Sequence, residues 1–343
     1  MSKIEKIKKV LNGELTEDIP FSFWTHFPDI DRIPELIAEE TYQFYKRFDL
    51  DFIKTMNNGM YATEDYGCKI DYSKIESGGV AEIISTPIES YTDWKKLKTL
   101  NLQDAPALQR ELTYLRLLLE RVQGEVPVVI TVFSPLTIAD KISGGKILES
   151  ITEEEKGGQL FKSALEKISK ITAEFVAEAI SIGADGIYFA SQVSTFERLS
   201  EQQYLEYGRP YDLKVLEKAQ DAWFNTVHLH GNKIMFDVVK DYPVQAINWH
   251  IGESYPTPRE GQIYSQKVIM GGINRWDVTA SNFNELHHQI YRTIFGTQGK
   301  GLILAPACVI PKPYDDGVID YLKKVKQETQ ILFNDNYLES SLL

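Results

Sequence analysis

LFKSALEKISKITAEFVAEAISIGADGIYFAS, residues 160–191, contains a helix pattern followed directly by a strand pattern. Apolar residues recur three and four positions apart as far as a closing Gly183, which predicts an amphipathic helix. Residues 186–191, GIYFAS, form a short β-prone apolar run, which predicts a buried strand. Alternation of helices with buried strands is typical of parallel α/β folds.

The same alternation extends over the whole chain, with no low-complexity segment and no repeat of about 20–50 residues. The β-prone runs cover residues 20–24, 51–56, 126–133, 186–191, 223–231, 244–250, 267–273 and 301–308. Eight such runs, each followed by a helical segment, predict an α/β fold that is a single parallel (β/α)8 TIM barrel formed by residues 1–343. An open doubly wound sheet is the competing topology. The number of runs and the absence of a GxGxxG turn after the first one favour the barrel.

One segment departs from this alternation. Residues 66–86, YGCKIDYSKIESGGVAEIIST, read as a β-hairpin with a glycine turn. We therefore expect a hairpin insertion after the second strand that reaches over the barrel mouth and shapes or covers the pocket.

Composition and charge exclude several classes of function. The formal net charge is −12, whereas nucleic-acid binding requires a basic face, so no nucleic-acid partner is expected. The charge also argues mildly against a strongly anionic substrate. The apolar runs are too short to span a membrane, and residues 1–14 lack a signal-peptide core. Cys68 and Cys308 do not resemble a disulfide framework. We expect a cytoplasmic protein.

Polar side chains gather at the C-terminal ends of the predicted strands. In TIM barrels these ends form the mouth that contains the active site. Each such residue could also be an ordinary solvated loop residue. The candidates for substrate binding are His26, Asn57, Ser191, Gln192, Asn248, Asn274 and Arg275.

Two histidines lie one residue apart at the end of the fifth run. On a strand, residues i and i+2 face the same side, so His228 and His230 point together. A divalent metal ion would satisfy both imidazoles, and Cys308, at the end of the eighth run, could reach the same space. Two imidazoles and a thiolate suit a zinc site with one open position, with His250 or Asn248 as a fourth ligand or a supporting group. The alternative is a hydrogen-bonded histidine pair and a cysteine that only packs.

These residues lie within a wider resemblance. The chain resembles the uroporphyrinogen decarboxylase superfamily over nearly its whole length, which implies a (β/α)8 barrel. The stretches that carry the resemblance are 132-VFSPLTIADKISGG-145, 183-GADGIYFASQ-192, 226-TVHLHGN-232, 270-MGGINRWDV-278 and 302-LILAPACVIP-311.

The superfamily has two functional branches. The resemblance implies that a decarboxylase of tetrapyrroles would use N-terminal arginines and an aspartate. In this chain Thr25 and His26 stand where the first arginine would be, and Asn57 and Asn58 stand where the aspartate is expected. Decarboxylation of uroporphyrinogen is therefore disfavoured.

The other branch consists of enzymes that resemble methylcobamide:coenzyme M methyltransferase. Their zinc ligands come from an H-x-C-G-N-like motif and a later cysteine, which 228-HLHGN-232 and 307-ACVIP-311 match in position. The departure is His230, which stands where the family has cysteine. This exchange removes one negative charge from the ligand set, so a metal there would be more Lewis acidic.

The resemblance implies a zinc-dependent methyltransferase with His228, His230 and Cys308 as catalytic and metal-binding residues and His250 as a candidate fourth ligand. A methyl group would pass from a methyl-corrinoid to a small-molecule thiol. The corrinoid would be carried by a separate protein, because the chain contains no D-x-H-x-x-G motif. The alternatives are a cofactor-free decarboxylase, acting on a porphyrinogen or a smaller carboxylate, and a non-catalytic protein that binds tetrapyrroles or corrinoids. We expect a monomer or a homodimer.

Overall fold

The computed structural model describes residues 1–73, 75 and 81–341, with side chains up to residue 335. The strands in this part of the chain are β1 (Ile53–Lys54), β2 (Lys69–Asp71), β3 (Glu82–Ser85), β4 (Val128–Phe133), β5 (Gly186–Ser191), β6 (Thr226–Leu229), β7 (Ala246–Trp249), β8 (Val268–Ile273) and β9 (Leu302–Pro306). The helices are α1 (Lys3–Leu11), α2 (Pro34–Phe48), α3 (Tyr61–Glu64), α4 (Pro106–Val122), α5 (Pro135–Ile142), α6 (Ile147–Glu155), α7 (Leu160–Ile182), α8 (Glu201–Tyr207), α9 (Arg209–Leu216), α10 (Phe236–Val239), α11 (Pro258–Ser265), α12 (Arg275–Thr279), α13 (Phe283–Thr297) and α14 (Gly317–Ser341).

Seven strands form one curled parallel sheet in the order β1-β4-β5-β6-β7-β8-β9. Sequential strands are neighbours, and helices connect them, as expected for repeated βα units. All residues of β4 to β9 are buried, which explains why their sequences read as continuous apolar runs. The architecture is an α/β fold with a half-barrel sheet, consistent with a TIM-barrel-like fold.

The predicted first strand, residues 20–24, is not a strand of this sheet. It meets β9 through an isolated bridge between Phe21 and Leu304, and the Leu304 N–H donates to the Pro20 carbonyl oxygen (2.8 Å). On its other side, the Asp51 N–H donates to the Phe21 carbonyl oxygen (2.8 Å). Pro20 has no N–H, and the Phe21 N–H donates to the Asp51 carboxylate (2.8 Å), so a continuous ladder cannot form. Seven of the eight predicted runs are therefore strands.

The predicted insertion corresponds to a second, two-stranded sheet. β2 pairs antiparallel with β3, with Ile70 opposite Ile83. The segment between them includes residues 74 and 76–80, which lie outside the described residues. The hairpin as one unit and its place over the barrel mouth therefore stay predictions.

Close packing fixes some of the sequence of the barrel. A Cβ at Gly186, the first residue of β5, would lie 2.0 Å from the carbonyl oxygen of Phe224, so only glycine fits there. The side chain of Asp185 accepts a hydrogen bond from the Val128 N–H (2.8 Å) and so ties the start of β5 to β4. No helix in the described part of the chain is long and apolar enough to span a membrane.

Candidate metal centre

Four side chains that can bind metals meet at the C-terminal ends of three strands. His228 lies in β6 and His230 directly follows Leu229 at its end, His250 directly follows β7, and Cys308 comes two residues after β9. One ligand atom from each lies within 4.8 Å of those of the other three. Among the described residues, no other group of three or more histidine, cysteine, aspartate or glutamate side chains is placed to hold a metal ion.

The distances within the cluster suit shared ligation of one ion. The Cys308 Sγ atom lies 3.8 Å from His228 Nε2 and 3.7 Å from His230 Nδ1. The ring of His250 approaches the ring of His230 edge-on, with 4.5 Å between their centroids. Atoms that share a metal at bond lengths of about 2.0–2.3 Å are separated by roughly these distances.

Asn248 fixes the orientation of the His228 ring. Its Nδ2 atom donates to the carbonyl oxygens of Met270 (2.6 Å) and Pro306 (3.1 Å), so its Oδ1 atom must be the acceptor. The Tyr188 hydroxyl donates to this Oδ1 (2.7 Å), and His228 Nδ1 lies 2.5 Å from it. His228 Nδ1 therefore carries the proton, and its Nε2 lone pair points toward Cys308.

His250 is a buried imidazole without a hydrogen-bond partner. Neither its Nδ1 nor its Nε2 atom bonds to any described residue, and the side chain is 1% exposed. Its nearest carboxylate oxygen, on Glu253, lies 3.7 Å from Nδ1. Buried polar atoms are seldom left unpaired, because each one costs about 1–3 kcal/mol. The unpaired nitrogen atoms of His250 and the neighbouring ligand atoms of the cluster fit a site that binds a metal ion.

The electrostatic environment keeps the imidazoles neutral. Burial, followed by the neighbouring His250 and His230, holds the pKa of His228 well below its usual range. Burial and Arg275 lower the pKa of His230 to about 4, and burial and His230 lower that of His250 to about 3. Burial raises the pKa of the Cys308 thiol, which a bound cation would reverse. At neutral pH the three imidazoles can therefore donate lone pairs to a metal.

Arg275 acts electrostatically on the cluster, whereas His26 is influenced by two lysines, Lys54 and Lys141. Arg275 lowers the pKa of both His230 and His250, and its buried Nε atom has no hydrogen bond, with Glu253 Oε1 3.8 Å away. His26 is half-buried, and burial with the nearby Lys54 and Lys141 lowers its pKa to about 4.

The side chains of other predicted residues are engaged in the scaffold. Asn57 donates to the buried Glu111 carboxylate (2.6 Å) and accepts from the Thr55 hydroxyl. The Ser191 hydroxyl bonds to that of Tyr204 (3.0 Å) in α8.

Asn274 caps α12 by accepting from the Trp276 N–H (2.8 Å). For Gln192, the structure shows its backbone N–H donating to the Thr137 hydroxyl (2.8 Å). These residues lie at or just after the C-terminal ends of β1, β5 and β8, and their roles in substrate binding stay predictions.

Sequence reasoning missed two residues of the mouth, Lys54 in β1 and Lys141 in α5. Lys54 is 4% exposed, and Lys141 is half-buried. A lysine inside the apolar run 51-DFIKTM-56 was a usable signal, because lysine is almost never fully buried unless it is paired.

Comparisons with known proteins agree with this fold. Residues 7–324 match the family model described as uroporphyrinogen decarboxylase (URO-D). A methyltransferase from Methanosarcina mazei superposes with a TM-score of 0.81 at 15% identity, over 97% of this chain and 99% of that one. A B12-independent methionine synthase from Shewanella sp. W3-18-1, in complex with selenomethionine, superposes with a TM-score of 0.55 at 14% identity, over 89% of each chain.

The curated proteins gave no match. At these identities the structural likeness shows the fold alone, whereas the family model covers most of the sequence. The chain belongs to the uroporphyrinogen decarboxylase family.

Proposed function

We propose that this protein is a zinc-dependent methyltransferase that moves a methyl group from a methyl-corrinoid to a small-molecule thiol. The observation that carries the proposal is the cluster of His228, His230, His250 and Cys308, with one ligand atom from each within 4.8 Å. Nitrogen and sulfur donors together select zinc over magnesium or calcium. The methyltransferase among the similar folds is consistent with methyl transfer.

The chain's own residues would prepare the site. Asn248 holds His228 in the tautomer whose Nε2 faces the cluster, and burial keeps His230 and His250 neutral. When bound, zinc would act as a Lewis acid that lowers the pKa of a thiol in contact with it. The walls of the mouth would hold the thiol and the methyl donor in line and exclude water.

The transfer balances without an added oxidant or reductant. The sulfur–carbon bond forms as the cobalt–carbon bond of the methyl-corrinoid breaks, and the electron pair of that bond stays with the cobalt. The thiol proton is released to water. The methyl donor would arrive on a separate corrinoid protein.

Elemental analysis and a methyl-transfer assay test the proposal. We expect about one zinc per chain in the purified protein, and we expect His228→Ala and Cys308→Ala to lose it. His288→Ala is the matched control, because it removes an exposed imidazole from α13. The absorbance of methylcobalamin should change with wild-type protein and a panel of small thiols, and mass spectrometry should detect the methyl thioether.

The runner-up is a cofactor-free decarboxylase. It is favoured by the description of the family model and by Lys54 and Lys141 near the mouth, where burial lowers the pKa of Lys54 to about 7 and that of Lys141 to about 8. A folded, metal-free wild-type protein that releases CO2 from a carboxylate would establish it and contradict methyl transfer. Tight binding of a corrinoid or a tetrapyrrole without turnover would instead indicate a non-catalytic binding protein.

A further inference from the structure

A groove with a volume of about 400 Å³ lies where three neighbouring strands begin. Its lining includes Gln245, Lys267 and Gly301, which immediately precede β7, β8 and β9. The Val268 N–H donates to the Gln245 carbonyl oxygen (3.2 Å), and the Ile269 N–H donates to that of Gly301 (2.9 Å). These bonds hold the three strand starts side by side. The metal cluster follows the opposite, C-terminal ends of the strands, so the groove is a separate site.

The groove is cationic although the chain as a whole is acidic. Three basic side chains line it: Arg259 in the first turn of α11, Lys267 and Lys300. No lining residue is acidic, whereas acidic residues outnumber basic ones by 49 to 37 in the whole chain. No carboxylate oxygen of the described residues lies within ion-pair distance of any of the three cations. Their positive charge is therefore not neutralised within the groove.

Lys267 is the least exposed of these cations. It is half-buried, and its Nζ atom donates to the Val244 carbonyl oxygen (3.0 Å), which leaves two of its three donors. Burial lowers the pKa of Lys267 from its ordinary value of 10.5, and the charge of Asp241 opposes this change. An anion in the groove would accept the remaining donors and offset the cost of burying the charge.

Glutamine side chains complete the groove. Gln262 Nε2 donates to the carbonyl oxygens of Lys300 (2.6 Å) and Gly301 (3.0 Å), so it ties the segment that carries Lys300 to α11. Gln245 Oε1 accepts from the Asn225 N–H (2.8 Å), which leaves its Nε2 atom available to a ligand. The groove is therefore held in shape by hydrogen bonds of its own walls.

We propose that this groove binds a small molecule that carries a phosphate group, with Arg259, Lys267 and Lys300 around the phosphate oxygens. A guanidinium group can donate two parallel hydrogen bonds to a phosphate, and ammonium groups add compact positive charges. The volume falls in the range of about 300–1,000 Å³ that is usual for small-molecule sites. The proposal does not depend on the reaction at the metal cluster, because none of the four cluster residues lines the groove.

The test is isothermal titration calorimetry of the purified full-length protein with sodium pyrophosphate at low ionic strength. We expect binding to the wild type, and we expect Arg259→Gln and Lys300→Gln each to weaken it by about fivefold, because both cations are exposed. The double variant should weaken it by about tenfold or more. Lys170→Gln is the matched control, because it removes an exposed charge from α7, which does not line the groove.

Each outcome supports or overturns the proposal. No detectable binding of pyrophosphate to folded wild-type protein would overturn it, and so would unchanged affinity in the double variant. A loss of binding in His228→Ala, with none in the double variant, would place the anion at the metal cluster instead. Tighter binding of a hexaglutamate peptide than of pyrophosphate, lost in the double variant, would make the groove a docking site for an acidic peptide and overturn the small-molecule site. Unchanged binding in His228→Ala, together with loss in the double variant, would support it.

Discussion

The substitution Asn248→Ala tests whether the metal site depends on the orientation of one imidazole. Asn248 makes four buried hydrogen bonds, to His228 Nδ1, the Tyr188 hydroxyl and the carbonyl oxygens of Met270 and Pro306. At about 1 kcal/mol net for each bond, their loss lowers the free energy of unfolding by about 4 kcal/mol. The His228 ring would then be free to rotate or to change tautomer. Loss of such a supporting partner typically weakens metal binding by about 10–100-fold.

The matched control for this prediction lies at the start of the neighbouring strand, β6. Asn225 immediately precedes β6, is 1% exposed, and makes three hydrogen bonds, to the Ile187 N–H and the carbonyl oxygens of Ala219 and Ala222. Asn225→Ala should lower the free energy of unfolding by about 3 kcal/mol, since it removes a similar set of buried bonds. It should leave zinc affinity unchanged, because none of its partners touches the cluster.

Two measurements separate the effects. Urea denaturation of the metal-free proteins gives the free energy of unfolding, and competition with a chromophoric chelator gives the zinc affinity. We expect both variants to lose stability and only Asn248→Ala to lose zinc affinity. Equal losses of zinc affinity in the two variants would mean that general loosening of the barrel is responsible. Unchanged zinc affinity in Asn248→Ala would refute the orienting role of Asn248.

Three further predictions address pH, packing and ligand charge. His250 has a folded pKa of about 3, against an ordinary value of 6.5, so the unfolded chain binds its proton first as the pH falls, and stability is lost below pH 6.5. By pH 5 this one group should cost about 2 kcal/mol, so metal-free His250→Asn should lose less stability than wild type between pH 7 and pH 5 in urea titrations. The comparison with wild type is needed because burial raises the pKa of Glu111 to about 7, and this carboxyl increases the free energy of unfolding as the pH falls. An equal loss of stability in both proteins would contradict the prediction. Gly186→Ala places a Cβ 2.0 Å from the Phe224 carbonyl oxygen, so we expect a thermal midpoint lower by more than about 5 °C in circular dichroism. Gly157→Ala is the control: its Cβ would meet open space, and although its φ is positive, the thermal midpoint should fall by less. His230→Cys adds a thiolate to the ligand set, so we expect tighter zinc binding in the chelator competition, and weaker binding would show that imidazole is the better ligand at this position.

The fold could be predicted largely because strand burial leaves a simple pattern. β4 to β9 are buried on both faces, so each reads as an apolar run bounded by helical segments. The segment at residues 20–24 reads the same way but is not a strand, because Pro20 and the Asp51 carboxylate remove two of its ladder bonds. The carboxylate that takes the Phe21 N–H lies 30 residues away, and sequence alone could not identify it.

The candidate site was predictable where it depends on strand geometry. The two-residue period of a strand places His228 and His230 on one face, and a parallel sheet brings Cys308 to the same edge. Side-chain pairing was not predictable. Asn57 lies at the end of its run as expected, but its amide bonds to Glu111 in α4, 54 positions along the chain.

The total charge of the chain does not describe the charge at the metal-binding cluster. A net charge of −12 argues against an anionic ligand, but it counts exposed carboxylates that water and salt screen. At the cluster the local groups differ from the average: Arg275 acts electrostatically on His230 and His250, and three neutral imidazoles lie beside Cys308. A divalent ion with these three imidazoles and one thiolate would leave a net charge of about +1 in the ligand set. The loaded site would therefore be positive although the whole chain is acidic, so the total charge does not exclude an anionic substrate at this site.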